Sequence, residues 1–344
     1  MPASAEPSAA PWGEGGPALA FAADVAAADR EEILALVAGW DPGLFPGEEV
    51  EVSVLLGGAN NRNYVVRCDG PKYALRIANA QNERFAVDRD SAIQAQRDAA
   101  DGGLAPEVVA AKLPEGHVLS TFVEGETLLD AERLRDRGVL RTVGRSLRRL
   151  HSLPTSIRSF SPFDDIRLWV GLAREDGGEL PADLDRLLAA VGQVEAVVKA
   201  AGLPAVFCHN DTVPQNFILS GTELRAVDWD YAGRGWACFE LASFSATADL
   251  DPDRQEVLLR AYDAEVNDRQ RATIQLLRLV AAMREVSWVL MATPVLQGTT
   301  TPADDRFYEN YLRDNLARVR SHLGAADFER LLSEASAEGG ARSW

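Results

Sequence analysis

The sequence is short of the residues that several chemistries require. Its 344 residues include three cysteines, Cys68, Cys208 and Cys238, an odd number, far apart and without a CxxC spacing. A disulfide framework and a cysteine zinc site are therefore not expected, and reduced, buried or half-buried thiols are. The four histidines (His117, His151, His209, His322) never fall at a metal-ligand spacing, and there is no HExxH. Lysine is nearly missing: Lys72, Lys112 and Lys199 are the only three, the other basic residues being arginine. Bases are outnumbered, with 35 Lys and Arg against 52 Asp and Glu, for a formal net charge of −17. That argues against a nucleic-acid partner, which calls for a basic face. No run approaches eighteen uninterrupted apolar residues, so neither a transmembrane helix nor a membrane partner is expected. The first 29 residues contain no Lys or Arg, so the charged start of a secretory signal is missing and a cytoplasmic location is expected.

What is present is the balance of a soluble globular protein, 47% hydrophobic and 25% charged, in a chain long enough for two lobes. Residues 1–27 are mostly Ala, Pro and Gly and read as a flexible arm. A first lobe is expected over 28–125, a second over 126–335, and a tail over 336–344. A short amphipathic helix carries Ile33, Leu34, Leu36 and Val37, with Asp29 as its N-cap. From Val50 the period changes to alternation. Strands are predicted through Val52–Leu56, Tyr64–Val66 and Tyr73–Ile77, with Asp69-Gly70 as the turn between the last two. A helix over 84–100 ends at Gly102-Gly103, and two more strands run near 107–112 and 117–122. The fold class is thus α+β: an N-terminal antiparallel sheet lobe with one inserted helix, then a larger, mostly helical lobe. In that second lobe Leu140, Val143, Leu147 and Leu150 repeat at helical spacing. Further helices are expected near 183–201, 253–266, 270–292, 304–322 and 326–335, with one β-rich stretch over 205–231.

The chemistry lies in that stretch. His209-Asn210-Asp211-Thr212-Val213-Pro214-Gln215-Asn216 is followed, after an apolar hairpin, by Asp228-Trp229-Asp230. Phosphoryl transfer to an alcohol needs a carboxylate beside the acceptor hydroxyl and oxygen ligands for a divalent metal. An Asp five residues before an Asn, with a second Asp at the end of the next hairpin, supplies both. Taken singly these residues are ordinary turn and strand-end chemistry; the combination is what points to a site.

The run HNDTVPQN followed by VDWDYAG resembles the motif of the choline kinase and aminoglycoside phosphotransferase superfamily, relatives of protein kinases, and most of all bacterial choline/ethanolamine kinases. Similar too are the loop Gly57-Gly58-Ala59-Asn60-Asn61-Arg62-Asn63-Tyr64, the Leu75-Arg76 strand, the turn Gly103-Leu104-Ala105-Pro106-Glu107, the helix end Leu147 to His151, and Arg284-Glu285-Val286-Ser287-Trp288. The likeness covers about residues 50–320. It implies a two-lobed protein-kinase-like fold and transfer from ATP, with Mg²⁺, to a small-molecule alcohol acceptor. By it Asp211 is the catalytic carboxylate, Asn216 and Asp228 are the metal ligands, and His209 orders the catalytic loop. The nucleotide is expected at Gly57, Gly58, Asn60, Asn61, Asn63, Ala74, Arg76 and Phe122. Strand alternation agrees in putting Ala74 and Arg76 on one face, a small residue and then a cation for phosphates.

For the acceptor, an amino alcohol such as choline or ethanolamine is expected, held by Asp230, Tyr231, Trp236 and Trp288 through charge and aromatic faces. The alternatives are an aminoglycoside or other specialised-metabolite kinase and a non-catalytic nucleotide-binding pseudokinase. Three positions depart from the family pattern. Ala92 stands where a Glu would pair with the strand cation, Asp88 lying one turn earlier. Gly235-Trp236-Ala237 replaces G-D-P, and Glu240 replaces an Asp.

Overall fold

A computed structural model describes residues 18–56, 61–80, 84–130, 132–296, 302–324 and 327–337. The contacts divide it into two compact units. One comprises positions up to 81 with Ala105–Glu124, and the other Asn82–Leu104 with positions from Gly125 onward. The inserted helix therefore groups with the second unit.

The first unit is a six-stranded sheet covered on one face by a helix. In chain order it contains β1 (Ala18–Phe21), α1 (Ala27–Val37), β2 (Glu49–Val54), β3 (Arg62–Arg67), β4 (Lys72–Ile77), β5 (Val108–Lys112) and β6 (His117–Thr121). The spatial order is β1-β2-β3-β4-β6-β5, with β1 parallel to β2 and the other neighbours antiparallel. β1 lies inside the stretch expected to be a flexible arm. Its Leu19, with Val25 beyond it, is buried in the core of this unit, which gives that stretch the apolar anchor its composition otherwise lacks. Ile33, Leu36 and Val37 of α1 pack with Val50, Val52, Tyr64, Val66, Leu75, Ile77 and Leu119. Leu75 and Ile77 of β4 go to that core, and alternation leaves Ala74 and Arg76 on the other, more open face. The Asp69-Gly70 turn is present, closed by Cys68 N–H donating to the Pro71 carbonyl at 3.0 Å.

In the second unit α2 (Arg89–Asp101) begins later than the expected 84, because Asp88 is its N-cap, the carboxylate accepting from Ser91 N–H at 3.1 Å. There follow β7 (Glu126–Thr127), α3 (Arg137–His151), α4 (Pro162–Glu175), α5 (Leu184–Ala200) and β8 (Val206–Cys208). Then come β9 (Phe217–Ser220), β10 (Glu223–Ala226), β11 (Gly233–Gly235), α6 (Ala237–Thr247), α7 (Pro252–Tyr262), α8 (Asp268–Leu296), α9 (Pro302–Gly324) and α10 (Phe328–Ser336). β9 and β10 form the expected hairpin, with β7 on its other side, and β8 pairs with β11. α8 packs on α4, α6, α9 and α10.

Two of these helices, α4 and α6, escape the sequence reading. α6 is buried on every side from Ala237 to Ala246, so it has no polar face to mark a period. α4 was legible: Ser161-Pro162 opens it, and Phe163, Ile166, Val170 and Ala173 form its buried stripe. Among the described residues no helix is long and apolar enough to cross a membrane.

Candidate active site

The loop from β8 to β9 is folded around its own polar groups. Asn216, in a 3-10 turn over Pro214–Asn216, turns its amide back on Asp211. Its Nδ2 donates to the Asp211 carboxylate at 2.9 Å and to the Asp211 carbonyl at 3.0 Å. With Nδ2 engaged there, Oδ1 is the end of the amide left to act as an oxygen ligand. His209 Nε2 donates to the Val227 carbonyl at 2.9 Å, and His209 Nδ1 lies 3.3 Å from the Asp211 N–H, which it accepts. One nitrogen donates and the other accepts, so the ring is neutral, and its complete burial lowers its proton affinity in the same sense. Val227 N–H donates to the Asn216 carbonyl at 2.9 Å. The peptide groups of Val227 are thus tied to His209 on one side and Asn216 on the other, and the next residue is Asp228.

Behind the loop stands Glu240, fully buried on α6. One carboxylate oxygen accepts from Asn210 N–H at 2.6 Å; the other lies 2.6 Å from His151 Nε2, and His151 Nδ1 is 2.8 Å from the Tyr262 hydroxyl. Thr212 Oγ1 donates to the Glu240 carbonyl at 3.1 Å. The Glu that replaces the family's Asp therefore reaches a histidine as well as the loop. His151, the last residue of α3, is part of this anchor. With Cys208 these two residues bring three metal-type donor atoms within 4.8 Å, but the hydrogen bonds above already occupy His151 and Glu240. Asn210 and Asp228 both adopt left-handed backbone, φ 62° and 63°, a conformation that costs a non-glycine residue free energy and gathers at functional sites. Gly235 is required by closeness: a Cβ there would sit 2.8 Å from Asn210 Oδ1.

Burial raises the proton affinity of Asp211, and Arg284 and the Asn216 hydrogen bond act in the opposite direction. Arg284, on α8, is a residue to which the sequence reading gave no role. It is 3% exposed, its Nε donates to Asp165 at 2.8 Å, and its Cζ lies 4.5 Å from the Tyr231 ring, 5.0 Å from Trp169 and 5.4 Å from Phe160. An arginine on an otherwise apolar helix stripe was the available signal for it.

Two of the residues expected at the acceptor have arginine neighbours. Asp230 is buried against Arg89 of α2, whose Nη1 donates to both its oxygens at 3.2 and 3.1 Å. Tyr231 lies under Arg284. Both positions answer a cation of the protein itself, because a buried acid and a buried aromatic face are stabilised by one. Trp236 is half-buried against Phe163 at the start of α6, ring centroids 6.0 Å apart. Trp288 is half-buried beside Phe85 and Tyr308, at 6.2 and 6.1 Å.

In the first unit Asn63 and Arg76 are direct cross-strand partners, as are Val65 and Ala74, and Ala74 also faces Ser120 on β6. Asn61 Oδ1 accepts from Asn79 N–H at 3.2 Å, which ties the start of β3 to the exit of β4. Phe122 is covered by Lys72, whose Nζ sits 3.6 Å from the ring centroid and 2.6 Å from Glu124. Gly57, Gly58 and Asn60 lie outside the described residues.

A carboxylate on a buried loop, an Asn bonded to it five residues on, and an Asp closing the next hairpin form one continuous polar arrangement. The model of the phosphotransferase enzyme family matches residues 51–279, two-thirds of the chain, and the protein belongs to that family. It is a phosphotransferase. Protein LicA of Haemophilus influenzae is 29% identical over 242 residues, 68% of this chain and 70% of that protein. A choline/ethanolamine kinase family protein from Mesorhizobium loti has a similar fold, with TM-score 0.74 and 23% identity, covering 89% of this chain and 99% of that one. LicA in complex with AMP matches with TM-score 0.66 and 21% identity over 85% of this chain and 96% of that one. At these identities the structural likenesses establish the fold: a kinase-like antiparallel sheet followed by a helical part.

Proposed function

We propose that the protein transfers the γ-phosphoryl group of ATP to the hydroxyl of a small amino alcohol of the choline or ethanolamine kind, with Mg²⁺. The Asp211–Asn216 pair carries this reading: one carboxylate and one amide, hydrogen-bonded at 2.9 Å on a loop held from behind by Glu240. The hydroxyl proton passes to Asp211. The hydroxyl oxygen bonds the γ-phosphorus as the bond from that phosphorus to the β,γ-bridging oxygen breaks, and ADP leaves with the electron pair. Asn216 Oδ1 and the Asp228 carboxylate are hard oxygen donors of the kind Mg²⁺ takes. Held by these two residues, the ion would supply positive charge to offset that of the nucleotide phosphates. His209 is neutral and bonded on both nitrogens, so its work is to fix the loop.

Arg76, with Asn63 across the strand pair, is assigned to the nucleotide phosphates, and Ala74 and Phe122 to the base. The relative known in complex with AMP supports a nucleotide, and the choline/ethanolamine kinase relative supports the acceptor class. The test is phosphotransfer by the 344-residue chain, with ATP and Mg²⁺, across choline, ethanolamine, aminoglycosides and sugars. An amino alcohol is expected to turn over best; transfer confined to aminoglycosides or sugars overturns the acceptor assignment.

A further inference from the structure

Many arginines of this chain are answered by acids. Arg133 takes Glu126 just before α3, Arg148 near the end of α3 lies 3.7 Å from Asp263, and Arg271 and Arg320 hold carboxylates at 2.8 and 2.7 Å. Four on α3 are not so paired. Arg137, Arg141, Arg145 and Arg149 recur at every fourth position and are all exposed, and among the described residues no carboxylate lies within ion-pair distance of any of them. Arg145 Nη2 reaches the Thr142 hydroxyl, at 3.4 Å. From Arg137 to His151 the helix contains no Asp or Glu.

The spacing makes a row. Leu140, Val143, Leu147 and Leu150 turn the apolar stripe of α3 inward, and residues four apart stand one above another on the outer side. At 1.5 Å rise per residue the four positions span about 18 Å, one every ~6 Å. Like charges at this interval weaken a helix, and Arg137 stands in the first turn, where the helix dipole disfavours a cation. The row works against the helix that carries it, which points to a use outside the chain.

Its shape limits the partner. The row is one residue wide, and its surroundings are acidic. Asp136 caps the start of α3, Asp253 is exposed on α7, which packs beside it, and the chain carries 52 acids against 35 bases. A bilayer or a nucleic-acid backbone is anionic over a wide face and would meet those acids together with the arginines. A narrow acidic element meets the arginines alone. A helix with Asp or Glu at every fourth position offers carboxylates at the same ~6 Å interval, and a guanidinium binds a carboxylate through two parallel N–H bonds. None of the helices α1 to α10 carries three acids in such a row, so a second copy of this chain does not supply it.

We propose that the Arg137, Arg141, Arg145 and Arg149 row of α3 is a docking surface for an acidic helix of another protein, one with Asp or Glu at four-residue intervals.

The probe is a labelled helical peptide of about 20 residues, Glu at every fourth position and Ala elsewhere, titrated with the 344-residue chain and followed by fluorescence anisotropy. It should bind, and raising NaCl from about 50 to about 300 mM should weaken it at least about tenfold, since the pairs are exposed. Arg141→Glu with Arg145→Glu should weaken it at least about tenfold at low salt, and the peptide with Gln for Glu should not bind. Arg141→Gln with Arg145→Gln should lose the peptide as well, while Tm stays level or rises because like charges are gone, and phosphotransfer is unchanged. Failure of the Glu peptide to bind, or undiminished binding by either variant, overturns the proposal. A lower Tm in the Gln variant does so too, because the arginines then serve the fold. Vesicles of phosphatidylcholine with phosphatidylserine, and a single-stranded oligonucleotide, are tested in parallel. If the same two arginines bind either more tightly than the peptide, the row belongs to that partner and the acidic helix is overturned.

Discussion

The side-chain amide of Asn216 donates to the carboxylate of Asp211, five residues earlier, at 2.9 Å. That bond aims one oxygen of Asp211 at the loop; in the proposed reaction the other would take the substrate hydroxyl, and the Asn216 amide oxygen would face the metal. If Asp211 accepts the hydroxyl proton, Asp211→Asn should lower kcat at least about a hundredfold, the scale of losing a general base, while ATP binding stays near its original strength. Wild-type-like turnover in this variant removes Asp211 from the mechanism.

Asp228 and Asn216 differ in charge, so their losses should differ in size. Asp228→Ala should abolish Mg²⁺-dependent nucleotide binding, and Asn216→Ala should weaken it less, since only a neutral ligand is lost. Titration with Mg·ATP by calorimetry distinguishes these outcomes. Unchanged affinity in both variants shows that the metal lies elsewhere.

Glu240 joins the loop to His151 from a helix with no exposed side. Glu240→Ala leaves the Asn210 N–H and the His151 ring without their acceptor, and each such buried group costs about 1–3 kcal/mol. Chemical denaturation should therefore show a loss of about 2–6 kcal/mol. Glu240→Asp restores the residue usual in the family, yet is one methylene too short to keep both 2.6 Å contacts. It should fall between the two, with kcat reduced more than stability.

Acid should destabilise the fold before it protonates ordinary carboxylates. Burial and the neighbouring Arg278 push His322 down from 6.5 to about 4, and burial lowers His209 in the same sense. The unfolded chain binds these protons more readily than the folded one. The stability they contribute is complete above about pH 6.5 and is lost as pH falls toward 4. For His322 this amounts to up to about 3 kcal/mol. Tm of the unaltered protein should drop across that window, and His322→Gln should drop less. Equal slopes assign the loss to other groups.

The arrangement of the loop was legible in the sequence because it depends on short spacings: His209, Asp211 and Asn216 are within one loop, and Asp228 lies one hairpin away. The alternation that put Ala74 and Arg76 on one face of β4 was legible for the same reason. The partners of Asp230 and Tyr231 were not. Arg89 and Arg284 reach them from 141 and 53 positions away, and nothing local in Trp229-Asp230-Tyr231 says which cation will arrive. Ala92 shows a further limit. It was marked as a missing acid, and the structure shows it buried on α2, with Asp88 engaged as the cap of that helix. The β1 strand was missed because its four residues are too few to show an alternation.

α6 presents no face to water, and Glu240 sits in its first turn. Amide hydrogens of such a helix exchange with solvent only through large openings of the surrounding unit, whereas surface helices exchange through local fraying. The loop that carries Asp211 is thus pinned to a segment whose amides should be among the slowest to exchange. Protection measured at Asn210 N–H, an amide in a loop, should follow that of α6 and not that of the loops around it.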